Sequence, residues 1–284
     1  MLHAAASLGG DAALARARGA ARIEFAARAG ATVLARLAQR SPVRVLLPRP
    51  TGGDAVAVLL NTAGGVCGGD RLEAAAQLRA GARATVVGQA AERVYRALDR
   101  PATIHTSLDV AAGAALHWAP QETLLFDGAR LERRTELRTE RDGRLLAAET
   151  LVFGRRAMGE RVRRLHLRDD WRLWRDGRLV WADALRLVGD DAAPALAAAS
   201  GFRGHEALCT LVFVGGALEA AREEARGLLA AAPVVGGASL VNGVLVVRAL
   251  GDGAPIRRLL TELSMTLRAS GLGFEPALPR VWSC

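Results

Sequence analysis

Turn signals recur at short intervals from the start of the chain to about residue 189. They include Gly52-Gly53, Gly64-Gly65, Gly68-Gly69, Gly81, Gly113, Asp127-Gly128, Asp142-Gly143 and Asp176-Gly177. A chain broken this often has no room for long helices, and the runs between the breaks have strand character. Ala21, Ile23, Phe25 and Ala27 alternate with Arg22, Glu24, Ala26 and Arg28, which puts the apolar set on one face. Further strands are expected at Thr85 to Val87, Leu108 to Val110, Leu116 to Trp118 and Leu179 to Trp181. This spacing predicts an all-β body, whether sandwich, barrel or β-solenoid. The absence of βα alternation argues against a doubly wound sheet.

The last third changes character. Leu208 to Val214 is an apolar strand, 217–231 reads as a helix with a charged face, and Ser239 to Leu250 is a hairpin about Asn242-Gly243. Residues 255–270 form the clearest helix: Pro255 suits its first turn, Gly271 its stop, and Ile256, Leu259, Leu260, Leu263 and Leu267 share a face. The expected fold class is therefore mainly β, with two C-terminal α-helices in a strand–helix–hairpin–helix unit. Residues 1–284 are expected to form one domain, with a possible subdivision into an all-β body (1–206) and an α/β unit (207–284).

Composition excludes several functions. All 38 basic residues are arginine, so a Schiff-base lysine and a standard P-loop are impossible. The net charge of +9 favours acidic partners. Nucleic acid is an alternative partner, but the arginines are dispersed and no RNA-recognition signature accompanies them. Cys67, Cys209 and Cys284 form no CxxC pair, and neither a disulfide framework nor a zinc site is indicated. With an N-terminus unlike a signal peptide, this points to the cytoplasm. The uncharged window from Gly227 to Val247 is broken by Pro233, Gly236-Gly237 and Asn242-Gly243, so no membrane segment is expected.

The glycine-rich stretch from Asn61 to Arg71 has P-loop spacing at Gly64 and Gly69. Asp70 and Arg71 stand where Lys and Ser/Thr are required, so it reads instead as a tight turn. An acid directly after the glycines is left unexplained by that reading. Cys67 within the turn is expected to be a buried, inert thiol, and none of the five histidines pairs at ligand spacing. No GxSxG or HExxH occurs, so an enzyme reading needs a cryptic carboxylate site.

Five stretches together resemble the UreD (UreH) family of urease accessory proteins: NTAGGVCGGDRL (61–72), QAAERVYR (89–96), WAPQETLLFDGARL (118–131), ETLVFGRRAMGE (149–160) and LPRVW (278–282). Ala63 and Val281 depart from the common Pro and Ile. The resemblance implies a β-helix-like body and no catalysis by the chain itself. It implies partners too: UreF, the GTPase UreG and the urease structural subunits, in an accessory complex where this chain is dimeric. No stably bound cofactor is implied, only Ni²⁺ in transit. Aligned acidic positions nominate Asp70, Glu149 and Asp183 as contacts of a transient nickel path. By alternation, Asp183 is expected to share an inward face with Trp181 and Leu179.

Overall fold

The computed structural model describes residues 16–49, 54–189 and 192–283. Among these the chain forms strands β1 (Arg18–Arg28), β2 (Ala31–Arg40), β3 (Val43–Leu46), β4 (Ala55–Asn61), β5 (Arg71–Leu78), β6 (Arg83–Gly88), β7 (Glu92–Val94), β8 (Ala102–Val110) and β9 (Ala115–Ala119). Then follow β10 (Thr123–Leu125), β11 (Ala129–Thr139), β12 (Arg144–Phe153), β13 (Leu165–Arg175) and β14 (Arg178–Gly189). The remainder comprises α1 (Ala193–Ala197), β15 (Ala207–Val214), α2 (Leu218–Ala231), β16 (Val235–Val241), β17 (Val244–Gly251) and α3 (Gly253–Ser270).

From β4 to β13 the chain shuttles between two sheets, and each return lands parallel to the strand laid down before it. One sheet has the order β14-β13-β11-β8-β5-β1-β2, and the other β16-β17-β15-β12-β9-β6-β4-β3, with β7 and β10 attached beside β12. The central pairs β1–β5, β5–β8, β8–β11 and β11–β13 are parallel, as are β4–β6, β6–β9 and β9–β12. This is the solenoid among the predicted alternatives. Register stacks like on like: Ala76, Leu108, Leu137 and Leu173 form one inward row. Burying such rows between the sheets is the main stabilising term.

The outer face of the second sheet packs against α2 and α3 in a second core. Ile256, Leu259, Leu260, Leu263 and Leu267 of α3 are buried there beside Phe213 and Leu245. The predicted strand, helix, hairpin and helix are all present, and β15 pairs with β12, so the second sheet runs unbroken through residue 207. Short α1 was not predicted. Gly271 follows α3 in a right-handed conformation. A Cβ there would meet the Phe213 ring at 2.4 Å, so close packing and not a left-handed stop requires this glycine.

Two bulges break the alternation expected from sequence. In β1 the register shifts at Glu24/Phe25, so Ala26 is buried and Ala27 exposed. In β14 the shift opposite Leu173/Trp174 turns Leu179 outward, 53% exposed, while Trp181 packs on the core. Asp183 therefore shares its face with Trp181 but not with Leu179. The residues 1–15 of the N-terminal segment, the Gly52-Gly53 turn and Cys284 lie outside the described residues. No helix among the described residues is long and apolar enough to cross a membrane.

Candidate functional site

A cavity of about 280 Å³ lies between the two sheets. Its walls are largely apolar, with Leu59, Leu72, Ile104 and Trp118 among them. Its polar lining falls into two groups. The first is Asn61 with Glu92, beside the glycine turn. The Asn61 amide donates to both Glu92 carboxylate oxygens (3.1 and 3.2 Å) and to the Gly65 carbonyl (3.2 Å). Tyr95 closes the turn by donating to the Gly64 carbonyl at 2.9 Å. Burial raises the Glu92 pKa to about 7, against the opposing hydrogen bond from Asn61.

The second group is charged and deep. Leu72, Ile104, Arg133 and Asp169 occupy one inward row across β5, β8, β11 and β13. The last two rungs of an otherwise apolar row are thus an arginine and an aspartate, both buried. The Arg133 guanidinium donates to Asp169 twice, from Nε to Oδ1 at 2.9 Å and from Nη2 to Oδ2 at 2.7 Å. Its Nη1 donates to Thr123 Oγ1 at 3.3 Å and forms an ion pair with Glu149 Oε2 from the opposite sheet. Thr135 donates to Glu149 Oε1 at 3.4 Å, and the Trp118 indole acts on the same carboxylate.

Burial pushes the Glu149 carboxyl above its ordinary pKa; Arg133 opposes this and the nearby Asp169 adds to it. Burial likewise disfavours the charge on Arg133, but Asp169 and then Glu149 together outweigh it and hold the guanidinium charged. Both follow from taking charges out of water and pairing them imperfectly.

The three acids nominated from sequence are dispersed over distinct environments. Glu149 lines the cavity. Asp70 is buried in the glycine turn, where its carboxylate accepts from the Cys67 and Ala17 amides, each at 2.8 Å. This explains the acid after the glycines: it satisfies one backbone donor of the turn, at Cys67, and ties the turn to Ala17 just before β1. Asp183 forms an ion pair with Arg248 of β17. Burial lowers the Arg248 pKa while Asp169 opposes that shift, so Asp169 acts electrostatically on both Arg133 and Arg248.

Cys67 is exposed, contrary to expectation, because the turn projects it away from the core. Cys209 is the buried thiol, and burial pushes its pKa up to about 12. His117 is fully buried; desolvation, then the adjacent Arg268, lowers its pKa to about 3, so it is neutral. No cluster of three His, Cys, Asp or Glu able to hold a metal occurs among the described residues. On the outer face of the first sheet, Arg22, Arg134 and Arg168 pair with Glu73, Glu136 and Asp170.

Arg133, Asp169, Glu92 and Asn61 were missed from sequence. A signal existed for two of them. Arg133 is in phase with Leu131 and Leu137, and Asp169 with Leu167 and Trp171, so each is a charge at an inward position of a strand.

The family model of the UreD urease accessory protein matches residues 17–283. Similar relatives include the urease accessory protein UreD of Methylobacterium sp. (strain 4-46), 45% identical over 89% of each chain. That of Xanthobacter autotrophicus is 44% identical over 94% of this chain and 90% of the relative, and that of Chelativorans sp. 39% over 94% of both. With the family model covering nearly the whole described chain, this protein belongs to the UreD family of urease accessory proteins.

Proposed function

We propose that this chain is a non-enzymatic cytoplasmic adaptor in urease maturation. In this reading it docks on apo-urease with UreF and the GTPase UreG, and Ni²⁺ passes through the inter-sheet cavity on its way to the urease site. The observation that carries the ion path is Glu149, a buried carboxylate lining a cavity whose other walls are largely apolar. Carboxylate and hydroxyl oxygens hold Ni²⁺ less firmly than imidazole or thiolate clusters, which suits an ion that must be handed on. Asp70 and Asp183 enter this reading as acids that hold the path's surroundings in place, since backbone amides and Arg248 already engage them.

The test is Glu149→Gln in cells carrying the urease operon, with urease activity and recovery of the UreF complex measured together. Activation should fall while the complex is retained. Normal activation in this variant removes the cavity from the nickel route. GTP turnover that follows this chain through purification would contradict the non-enzymatic assignment.

A further inference from the structure

The guanidinium of Arg133 sits where a cation shared by Glu149 and Asp169 would sit. Asp169 grips it through two directed hydrogen bonds from an adjacent strand in register. Glu149 approaches from the other sheet and meets a single nitrogen, Nη1. The two contacts are therefore unequal: Asp169 anchors the arginine, and Glu149 is the arm free to exchange partners. Thr123 and Thr135 place hydroxyl oxygens at the same spot. Glu149 and Thr123 line the cavity, and Asp169 and Thr135 stand directly behind Arg133 and Glu149; without the guanidinium these groups offer the oxygen donors of a hydrated divalent cation.

We infer that Arg133 is a built-in counter-cation: a positioning residue that competes with the travelling ion for Glu149 and prevents Glu149 and Asp169 from closing into a tight divalent-cation site. This rests on the reading of the cavity as an ion path. Two carboxylates and one guanidinium leave one net negative charge, enough to attract a dication. The guanidinium held on Asp169 repels that ion at close range in a poorly screened interior. Entry then displaces the single Nη1 contact with Glu149, and exit restores it. A site built this way binds weakly by construction, and Arg133 stays on Asp169 while the ion is held at Glu149.

The experiment uses the full-length chain co-purified with UreF, titrated with NiCl₂ by calorimetry and by thermal shift. Wild type is compared with Arg133→Gln, Arg133→Lys and the double variant Arg133→Gln/Glu149→Gln. Arg133→Gln should gain one Ni²⁺ site at least about tenfold tighter than any in wild type, since a buried unit charge beside a dication has been removed. The double variant should lose that site, which separates it from adventitious surface binding. Arg133→Lys keeps the charge on a shorter arm that cannot serve both acids, so its affinity should fall between the two.

A merely structural arginine would lower stability in Arg133→Gln and leave Ni²⁺ affinity at the wild-type level, and that result overturns the inference. If Arg133→Gln does not fold, Arg133→Lys decides: affinity above wild type supports the competition, and equal affinity overturns it. The two readings fail separately. If Glu149→Gln lowers activation while Arg133→Gln gains no site, the ion path stands and the counter-cation falls. If Glu149→Gln leaves activation normal, the path falls whatever Arg133→Gln binds.

Discussion

Arg133 of the first sheet spans the core to meet Glu149 of the second, while its remaining nitrogens fork onto Asp169 beside it. A charged trio of this kind is costly to break and cheap to replace. Arg133→Ala leaves two buried carboxylates unpaired and should lower unfolding stability by about 3–5 kcal/mol. Replacing all three by apolar residues of similar volume, as in Arg133→Met/Glu149→Leu/Asp169→Leu, should recover most of that loss, because desolvation of the ions is avoided. Urea denaturation of the two variants checks it; equal instability in both would show that packing, not charge, is what the trio supplies.

The raised pKa of Glu92 sets a pH dependence. Its folded value of about 7 lies above its ordinary value of 4.5, so the folded state holds the proton more firmly. Its contribution is complete below about 4.5 and is lost as pH rises through about 7. His117 acts in the opposite sense: its folded pKa near 3 means its contribution is present above 6.5 and is lost as pH falls from there. The two slopes oppose each other between 4.5 and 6.5. Glu92→Gln should therefore flatten the decline on the alkaline side, and the difference between variant and wild-type urea midpoints should grow from pH 5 to pH 8. A pH-independent difference would show that Glu92 does not titrate in this window.

The nominated acids should separate by phenotype. Asp70→Ala strips acceptors from two backbone amides and should cost about 2 kcal/mol or more. Any loss of urease activation should then track loss of folded protein. Asp183→Ala breaks a half-exposed ion pair and should cost less than about 1 kcal/mol, with activation near normal. Measuring activation per unit of UreF complex for each variant distinguishes these from Glu149→Gln. A drop of equal size in all three, at constant complex, would restore the view that each acid contacts nickel.

The apolar face of α3 is core rather than a bare docking surface. Leu260→Ala and Leu263→Ala should each lower stability by about 2–5 kcal/mol through cavity formation. Any effect on the UreF complex should scale with the fraction unfolded. Leu98, 91% exposed, is instead the foremost exposed apolar side chain among those described. Leu98→Ser is expected to improve solubility of the chain expressed without UreF; unchanged aggregation would exclude that position.

Local patterns settled much of the fold. The alternation in Ala21–Phe25, the glycine turns and the three-and-four spacing in α3 are properties of neighbours in sequence, so strands, turns, the Asn242-Gly243 hairpin and both long helices were legible. The misreadings came where one extra residue breaks the period. The bulges at Glu24/Phe25 and opposite Leu173/Trp174 reverse the faces of Ala27 and Leu179, and single-strand alternation carries no sign of a partner's register. The choice of solenoid over sandwich or barrel depended on parallel pairing between strands distant in the chain, such as Arg18 with Arg71 and Arg71 with Thr103. The site was decided the same way. Glu149 was nominated from sequence, but Arg133 and Asp169 meet only because β11 and β13 lie in register, and Glu149 joins them only because β12 faces them from the other sheet. Charge pairing across a core is a relation between distant segments, and distance in space is the one quantity that residue order leaves open.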